Sequence, residues 1–277
     1  MFRAIVVVPI LLAATAGAQH GMVTFHFPRW SPDGQWLVFT TNVDGDDEEV
    51  WVLSRDGAVK RKLTNNTVEE TAADWHADGR RIVFQRHDAG GVEHFAMDAD
   101  GSNVAPYEPG PARAINGLSA HERRTGAGQA VVVTRAGAGE RRVSTVTWAE
   151  QPSVSPDGRQ VVFEQRDSVH AILSSDIALW DARTDRVRIV ARGTDPSWSP
   201  DGRTLLFKTP RGPDNALFIA TMALPDGEPR VLARGVHGQF SPDGTSIVFM
   251  TDGPDRADIS VIRTDGTGKR CLTCSWK

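Results

Sequence analysis

Residues 198–207 read WSPDGRTLLF, a tight turn running into a short apolar strand. Ser199 opens the turn, and Pro200 presets the φ that the second position of a type I turn needs. Asp201 tolerates the third position, and Gly202 supplies the positive φ that returns the chain to a strand, often with a bulge. Leu205, Leu206 and Phe207 are apolar on both faces, which suits a strand packed on both sides. One copy of such a phrase is a hairpin signal and no more.

The chain writes it five times. Trp30-Ser31-Pro32-Asp33-Gly34 leads into Leu37-Val38-Phe39, and Trp75-His76-Ala77-Asp78-Gly79 into Ile82-Val83-Phe84. Val154-Ser155-Pro156-Asp157-Gly158 leads into Val161-Val162-Phe163, and Phe240-Ser241-Pro242-Asp243-Gly244 into Ile247-Val248-Phe249. The turn glycines at 34, 79, 158, 202 and 244 are spaced by 45, 79, 44 and 42 residues. The step of 79 is nearly two periods, so a worn copy lies between Gly79 and Gly158. A fixed period in the forties with several strands per unit points to a propeller or a solenoid.

Each period carries further strands. Glu49–Leu53, Asp176–Trp180 and Asp258–Ile262 follow the turn strand. Asp-Gly dipeptides at 56–57, 100–101, 226–227 and 265–266, favoured between paired strands, come next. Lys62–Thr64, Arg188–Gly193 and Arg230–Gly235 supply a third strand, and the stretch before the next turn a fourth. Four short antiparallel strands per unit make a propeller blade. In the worn unit, Glu140–Val146 matches Val187–Gly193, Ala130–Val133 is the preceding strand and Ala136–Gly139 the hairpin turn. Its turn phrase is then expected near Ser119, with little room for the strand after it. A rival register matches Thr125–Gln129 to the phrase instead.

Length agrees with one closed all-β fold. The chain has 277 residues with 26 Gly, 16 Pro and 8 Trp, and no long helical periodicity. A formal charge of −4 with no basic stripe gives no reason to expect nucleic acid. Residues 1–18 read as a signal peptide: Arg3, an apolar run from Ala4 to Ala14 too short to span a membrane, and the cleavage pattern Ala16-Gly17-Ala18. A buried first strand is the alternative. No Cys follows the cleavage pattern, so no lipid anchor is expected there. The expected mature chain, residues 19–277, has 259 residues, enough for six blades of about 43. The expectation is an all-β, six-bladed β-propeller of four-stranded antiparallel blades with a degenerate third blade, and no membrane span after cleavage.

The phrase (W/F)-S-P-D-G-x-x-(I/L/V)-x-F, its Asp-Gly hairpins and the strand ends Leu63-Thr64 and Leu272-Thr273 resemble the TolB-like, WD-like propeller repeats over essentially the whole mature chain. The resemblance implies a propeller exported to the bacterial envelope, periplasmic or secreted. TolB carries an α/β domain ahead of its propeller, and its propeller docks a peptidoglycan-associated lipoprotein. Similar repeats form the non-catalytic propeller of prolyl-oligopeptidase-type peptidases, but this chain has no G-x-S-x-G nucleophile elbow.

The repeated Ser, Asp, Trp and Phe are scaffold, because a residue present in every unit is explained by the unit. Function is sought where the units differ. Four residues before each turn Ser (His in the second unit), the chain reads Phe27, Ala72, Gln151, Asp195 and His237, with His26, Glu70 and Glu150 nearby. Gln151, Asp195 and His237 are the candidate site for a partner peptide, a polar ligand or a metal at the axial funnel; solvated residues lining a wet channel are the alternative. Oligogalacturonate lyases, propellers of related repeats, use His and Gln to hold a metal in such a place. The acidic hairpin Asp44–Glu49 lacks EF-hand spacing and reads as a solvated loop. Asn65-Asn66-Thr67 fits a glycosylation sequon relevant to a eukaryotic host. Cys271 and Cys274, the only cysteines, read as a disulfide stapling the tail of an exported protein.

No paired carboxylate, nucleophile or phosphate loop stands out. The expected function is therefore non-catalytic binding of an envelope protein or peptide by a monomer, without a cofactor. A metal-dependent propeller acting on a glycan or small polar ligand is the alternative.

Overall fold

The computed structural model describes residues 23–45, 47–88, 90–110, 114–126, 128–167, 175–209, 216–251 and 256–276. The expected signal peptide lies outside them. The described chain is all-β and contains no helix.

The turn phrase folds as its chemistry dictates. Ser199 Oγ donates to Asp201 Oδ1 at 2.6 Å and accepts the Thr204 N–H at 2.9 Å. Asp201 Oδ1 accepts the Arg203 N–H at 3.0 Å, and the Gly202 N–H closes on the Ser199 carbonyl at 2.9 Å. Gly202 sits at φ 70°, where a Cβ is strained. The same Ser–Asp bond recurs at Ser31–Asp33, Ser155–Asp157 and Ser241–Asp243. In the second unit His76 stands in the serine's place, its Nδ1 2.8 Å from Asp78 Oδ2. The serine hydroxyl holds the Asp33 and Asp201 carboxyls below the usual carboxylate range. These aspartates are turn fasteners.

Each turn joins the first and second strands of a sheet. The first sheet runs β1 (Phe25–Trp30), β2 (Trp36–Thr41), β3 (Glu49–Ser54), β4 (Lys60–Lys62). The second runs β5 (Glu69–Trp75), β6 (Arg81–Asp88), β7 (Gly91–Asp98), β8 (Ala105–Pro106). A three-stranded group follows: β9 (Leu118–Thr125), β10 (Gly128–Arg135) and β11 (Glu140–Arg142). One parallel bridge, Gln129 with Trp148, joins it to the meander β12 (Trp148–Val154), β13 (Gln160–Arg166), β14 (Asp176–Asp181), β15 (Arg186–Arg192). Two more four-stranded meanders complete the chain. They are β16 (Thr194–Trp198), β17 (Thr204–Lys208), β18 (Phe218–Ala223), β19 (Arg230–Arg234), then β20 (Val236–Phe240), β21 (Ser246–Met250), β22 (Ile259–Arg263), β23 (Arg270–Cys271).

The worn unit departs from the expected reading. Its turn is Asn116-Gly117, at φ 49° and 78°, closed by reciprocal bonds between Ile115 and Leu118. Asn-Gly suits a turn with two positive φ values, which the Ser-Pro-Asp-Gly phrase cannot make. The turn therefore falls ahead of Ser119, and the full-length strand β9 follows it. Among the described residues no strand precedes the turn in this unit: 107–110 and 114 lie in none. The rival register fails too, because Thr125 and Gly128 close the β9–β10 hairpin. Ala136–Gly139 is the β10–β11 turn, as expected.

The sheets pack through apolar seams. Phe25, Phe39 and Trp51 of the first sheet share a core with Val248, Ile259, Leu272 and Trp276 at the end of the chain. Val38, Val50 and Val52 meet Ala73, Ile82, Phe84 and Met97 of the second sheet. Further seams join β9–β11 to β12–β15, that meander to β16–β19, and β16–β19 to β20–β23. Among the described residues no such cluster joins β5–β8 to β9–β11.

Candidate functional site

The residues that break the repeat share one backbone feature. Phe27, Ala72, Gln151, Asp195 and His237 all adopt positive φ, between 47° and 54°. Each lies where the first strand loses register with the second: between His26 and Arg29, Thr71 and Asp74, Glu150 and Ser153, Thr194 and Ser197, and Val236 and Gln239. A bulge of this kind takes one residue out of the ladder and re-aims its side chain. Non-glycine residues at positive φ are uncommon, so the five equivalent bulges are a built feature.

The first strands of neighbouring sheets lie against one another, which brings these side chains together. His237 Nδ1 lies 3.9 Å from Asp195 Oδ2, and Gln151 is near enough to Asp195 to help lower its carboxyl. On the other side of His237 the Phe27 ring sits 4.6 Å away, centroid to centroid, tilted by 60°. Ala72 has no polar group to add. Lys208 Nζ approaches Asp195 Oδ2 at 2.8 Å. The oxygen makes no aligned hydrogen bond, so the contact is one of charge.

The electrostatics follow from this packing. Burial raises the Asp195 carboxyl, but the Lys208 ammonium, His237 and the Gln151 amide outweigh it and hold the group below the usual carboxylate range. The His237 ring keeps 32% of its side chain open, yet the protein packed around it pushes the imidazole down to about 4. Asp195 pulls it back only in part, while Lys208, Arg29 and His26 add to the depression. At neutral pH the cluster presents an uncharged imidazole beside a Lys–Asp ion pair.

Lys208 was not singled out from the sequence, although a signal was there. The position after the phenylalanine of each strand reads Thr40, Gln85, Glu164, Lys208 and Met250, a second variable column. The register explains its importance, since Lys208 pairs with Thr194, next to Asp195. In the fourth sheet the same column gives a buried group. Arg166 Nη1 bridges Glu150 Oε1 at 2.5 Å and Glu164 Oε1 at 2.6 Å, and Ser175 Oγ donates to Glu164 at 2.8 Å. Burial first, then the charges of Glu150 and Asp195, raise the Glu164 carboxyl against the pull of Ser175 and Arg166.

The other candidates are tied up locally. Asp44 and Glu49 face Lys62 Nζ at 3.0 and 3.7 Å, and Glu48 faces His26 at 2.9 Å; Asp46 lies outside the described residues. Cys271 and Cys274 are paired as a disulfide, Cα to Cα 5.8 Å. Among the described residues, the group of three side chains whose ligand atoms lie within 4.8 Å is Asp258 with these two cysteines, whose sulfurs are bonded to each other.

Comparison with known proteins places this architecture. Over 152 residues the chain is 30% identical to the uncharacterized peptidase YuxL of Bacillus subtilis, a stretch covering 52% of this chain and 22% of that protein. TolB of Acinetobacter baumannii superposes with a TM-score of 0.58 at 14% identity, over 90% of this chain and 62% of that one. An oligogalacturonate lyase in complex with manganese superposes at 0.57 with 13% identity, over 87% of this chain and 89% of that one. The chain thus spans well under two thirds of YuxL and just under two thirds of that TolB, and the structural likenesses speak for the fold alone. Residues 13–178 match the family described as TolB beta propeller domain. With its repeated turn phrase, its antiparallel meanders and that match, the chain belongs to the TolB beta propeller domain family.

Proposed function

We propose that the protein is an exported propeller that binds a protein or peptide partner through Gln151, Asp195, Lys208 and His237 at one mouth of its axis. The observation that carries this reading is the convergence of repeat-breaking side chains from three consecutive sheets on one charged cluster. Within a family built from near-copies, such residues have no scaffold role to account for them. Rigid inner strands hold them in place, as recognition requires.

We read the ring as six blades, with β9–β11 as a three-stranded third blade. Supporting this, the first and last sheets share a seam, and a Cβ on Gly34 would lie 3.4 Å from Pro242. The proposed mature chain begins at Gln19 and acts as a monomer in the periplasm or outside the cell. No helix among the described residues is long and apolar enough to cross a membrane. Mass spectrometry of protein from its native host tests the processing; an intact Met1–Ala18 segment refutes it.

A metal-dependent enzyme acting on a glycan or small polar ligand is the second reading, favoured by the likeness to the manganese-bound lyase and by the unprotonated His237. Against it, the Lys208 ammonium already occupies the cation position beside Asp195. Pull-down from envelope extracts with wild type, Asp195→Ala and His237→Ala separates the readings. Loss of a partner by folded variants supports docking. Equal capture by all three, together with calorimetric binding of Mn²⁺ to wild type alone, supports the metal reading.

A further inference from the structure

The two cysteines stand beside a third group that the sequence alone does not bring to them. Asp258 comes just before β22, Cys271 ends β23, and the pairing of Ser260 with Cys271 folds the tail back along β22. Past that pair the contacts run on. The Leu272 N–H bonds to the Ile259 carbonyl at 2.8 Å, and the Ile259 N–H to Thr273 Oγ1 at 2.9 Å. A carboxylate oxygen of Asp258 and both sulfurs therefore lie within 4.8 Å of one another. Two cysteines in C-x-x-C spacing with a carboxylate from the next strand are the donor set of a thiophilic divalent cation, once the sulfurs are reduced.

The surroundings orient these groups as ligands. Asp258 Oδ1 accepts the Thr273 hydroxyl at 2.8 Å and the Arg256 Nε–H at 2.9 Å. The two bonds fix the carboxylate, while Oδ2 accepts no hydrogen bond among the described residues. Outer hydrogen bonds of this kind hold ligating carboxylates in metal sites. The Cys274 N–H points at Cys271 Sγ from 3.0 Å, a bond that favours the charged form of that sulfur. Two thiolates on one zinc stand roughly 3.8 Å apart, given Zn–S bonds of about 2.3 Å in a tetrahedron. The Cα spacing of 5.8 Å accommodates that span by side-chain rotation alone. Cys274 is exposed and Cys271 half-buried, so both ion and reductant reach them.

Charge favours a dication. Arg256 is held in place by the Thr273 and Trp276 carbonyls, at 2.7 and 2.8 Å. With the disulfide closed, Asp258 and Arg256 cancel. With two thiolates in its place, one dication restores the same balance. Calcium and magnesium ask for six or more oxygen ligands, whereas a thiolate pair selects zinc.

We propose that the reduced protein binds one Zn²⁺ through Cys271, Cys274 and Asp258 Oδ2, with water in the fourth position. A dithiol donor opens the site. Its two electrons and two protons pass to the disulfide, whose S–S bond breaks to two thiols while the donor becomes a disulfide. Zn²⁺ then displaces the two thiol protons into solvent and forms two Zn–S bonds. Metal and disulfide exclude each other, because each takes both sulfurs. The tail that carries Trp276 is thus tied by one or the other according to redox state.

The test titrates Zn²⁺ against a chromophoric chelator, using the full chain as the disulfide and after anaerobic reduction. Co²⁺ serves as the spectroscopic probe. The reduced chain should take one Zn²⁺ and, with Co²⁺, show thiolate charge-transfer and tetrahedral d–d bands; the disulfide form should take none. Cys274→Ser, at an exposed position, and Asp258→Asn, which keeps an oxygen for Thr273 and Arg256, should each weaken binding by about tenfold or more. Asp258→Asn should keep the two-thiolate band. Zinc-edge X-ray absorption of loaded wild type needs no variant and should show two sulfur and two oxygen neighbours. Three results overturn the proposal: no more zinc bound by the reduced chain than by the disulfide form, wild-type affinity in folded Asp258→Asn, or a four-sulfur shell with one zinc per two chains.

Discussion

Lys208 Nζ sits 2.8 Å from Asp195 Oδ2, and the two residues come from paired strands of one sheet, β17 and β16. Both side chains are about four-fifths buried, at 21% and 18% exposure. Removing one partner of such a pair leaves a charge without compensation, whereas removing both does not. Lys208→Met is therefore expected to destabilise by roughly 2–3 kcal/mol, with Lys208→Met/Asp195→Leu recovering most of it. Urea denaturation of the three proteins checks this; a double variant less stable than the single would contradict it.

His237 gives a pH dependence with a definite sign. Its folded value near 4 lies below the ordinary 6.5, so the unfolded chain binds the proton more readily. The contribution is fully present above pH 6.5 and is lost as pH falls toward 4. Wild type should lose about 1–2 kcal/mol over that window relative to His237→Gln, and nothing relative to it above pH 7. Parallel melting curves for the two proteins across pH 4–8 would show that the ring is not depressed.

The turn glycines are alike in φ and unlike in surroundings. A Cβ on Gly202 would meet Pro156 at an ordinary 3.5 Å, whereas one on Gly158 would stand 2.4 Å from the Ile115 carbonyl oxygen. Gly202→Ala is expected to cost about 1 kcal/mol, from backbone strain, and Gly202→Val about 1–3 kcal/mol. Gly158→Ala should cost at least about 1 kcal/mol more than Gly202→Ala, because backbone must move. Equal melting temperatures for the two alanine variants would count against the Asn116-Gly117 turn.

The tail is held by Trp276 more than by sulfur. Trp276 rings contact Phe25, Phe39 and Trp51 at 5.6, 5.8 and 5.4 Å, closing the seam between the first and last sheets. The disulfide spans a sequence separation of 3, so its constraint on the unfolded chain is small. Trp276→Ala should cost about 3–5 kcal/mol, and Cys271→Ser/Cys274→Ser no more than about 2. Thermal melts of both variants test the order.

Most of the architecture was legible in the residues, because the turn phrase is local chemistry. Ser, Pro, Asp and Gly each have one job within five residues, and their recurrence sets the period and the strand order. The column of Phe27, Ala72, Gln151, Asp195 and His237 was legible for the same reason, since a repeat makes departures from it visible. Distances across sheets were not. Lys208 becomes Asp195's counter-charge only when β16 and β17 pair, and the depression of His237 depends on protein packed around it from three sheets. The worn unit shows the limit most plainly: Asn116-Gly117 is a turn on any reading, but nothing local says that it replaces the Ser-Pro-Asp-Gly corner. That was decided by Gly158 packing on Asn116, a contact between segments that the chain brings together only on folding. Sequence period determines what each unit contains, because a turn is made by neighbours in the chain; tertiary packing determines which edges and charges remain open, because those are set by neighbours in space.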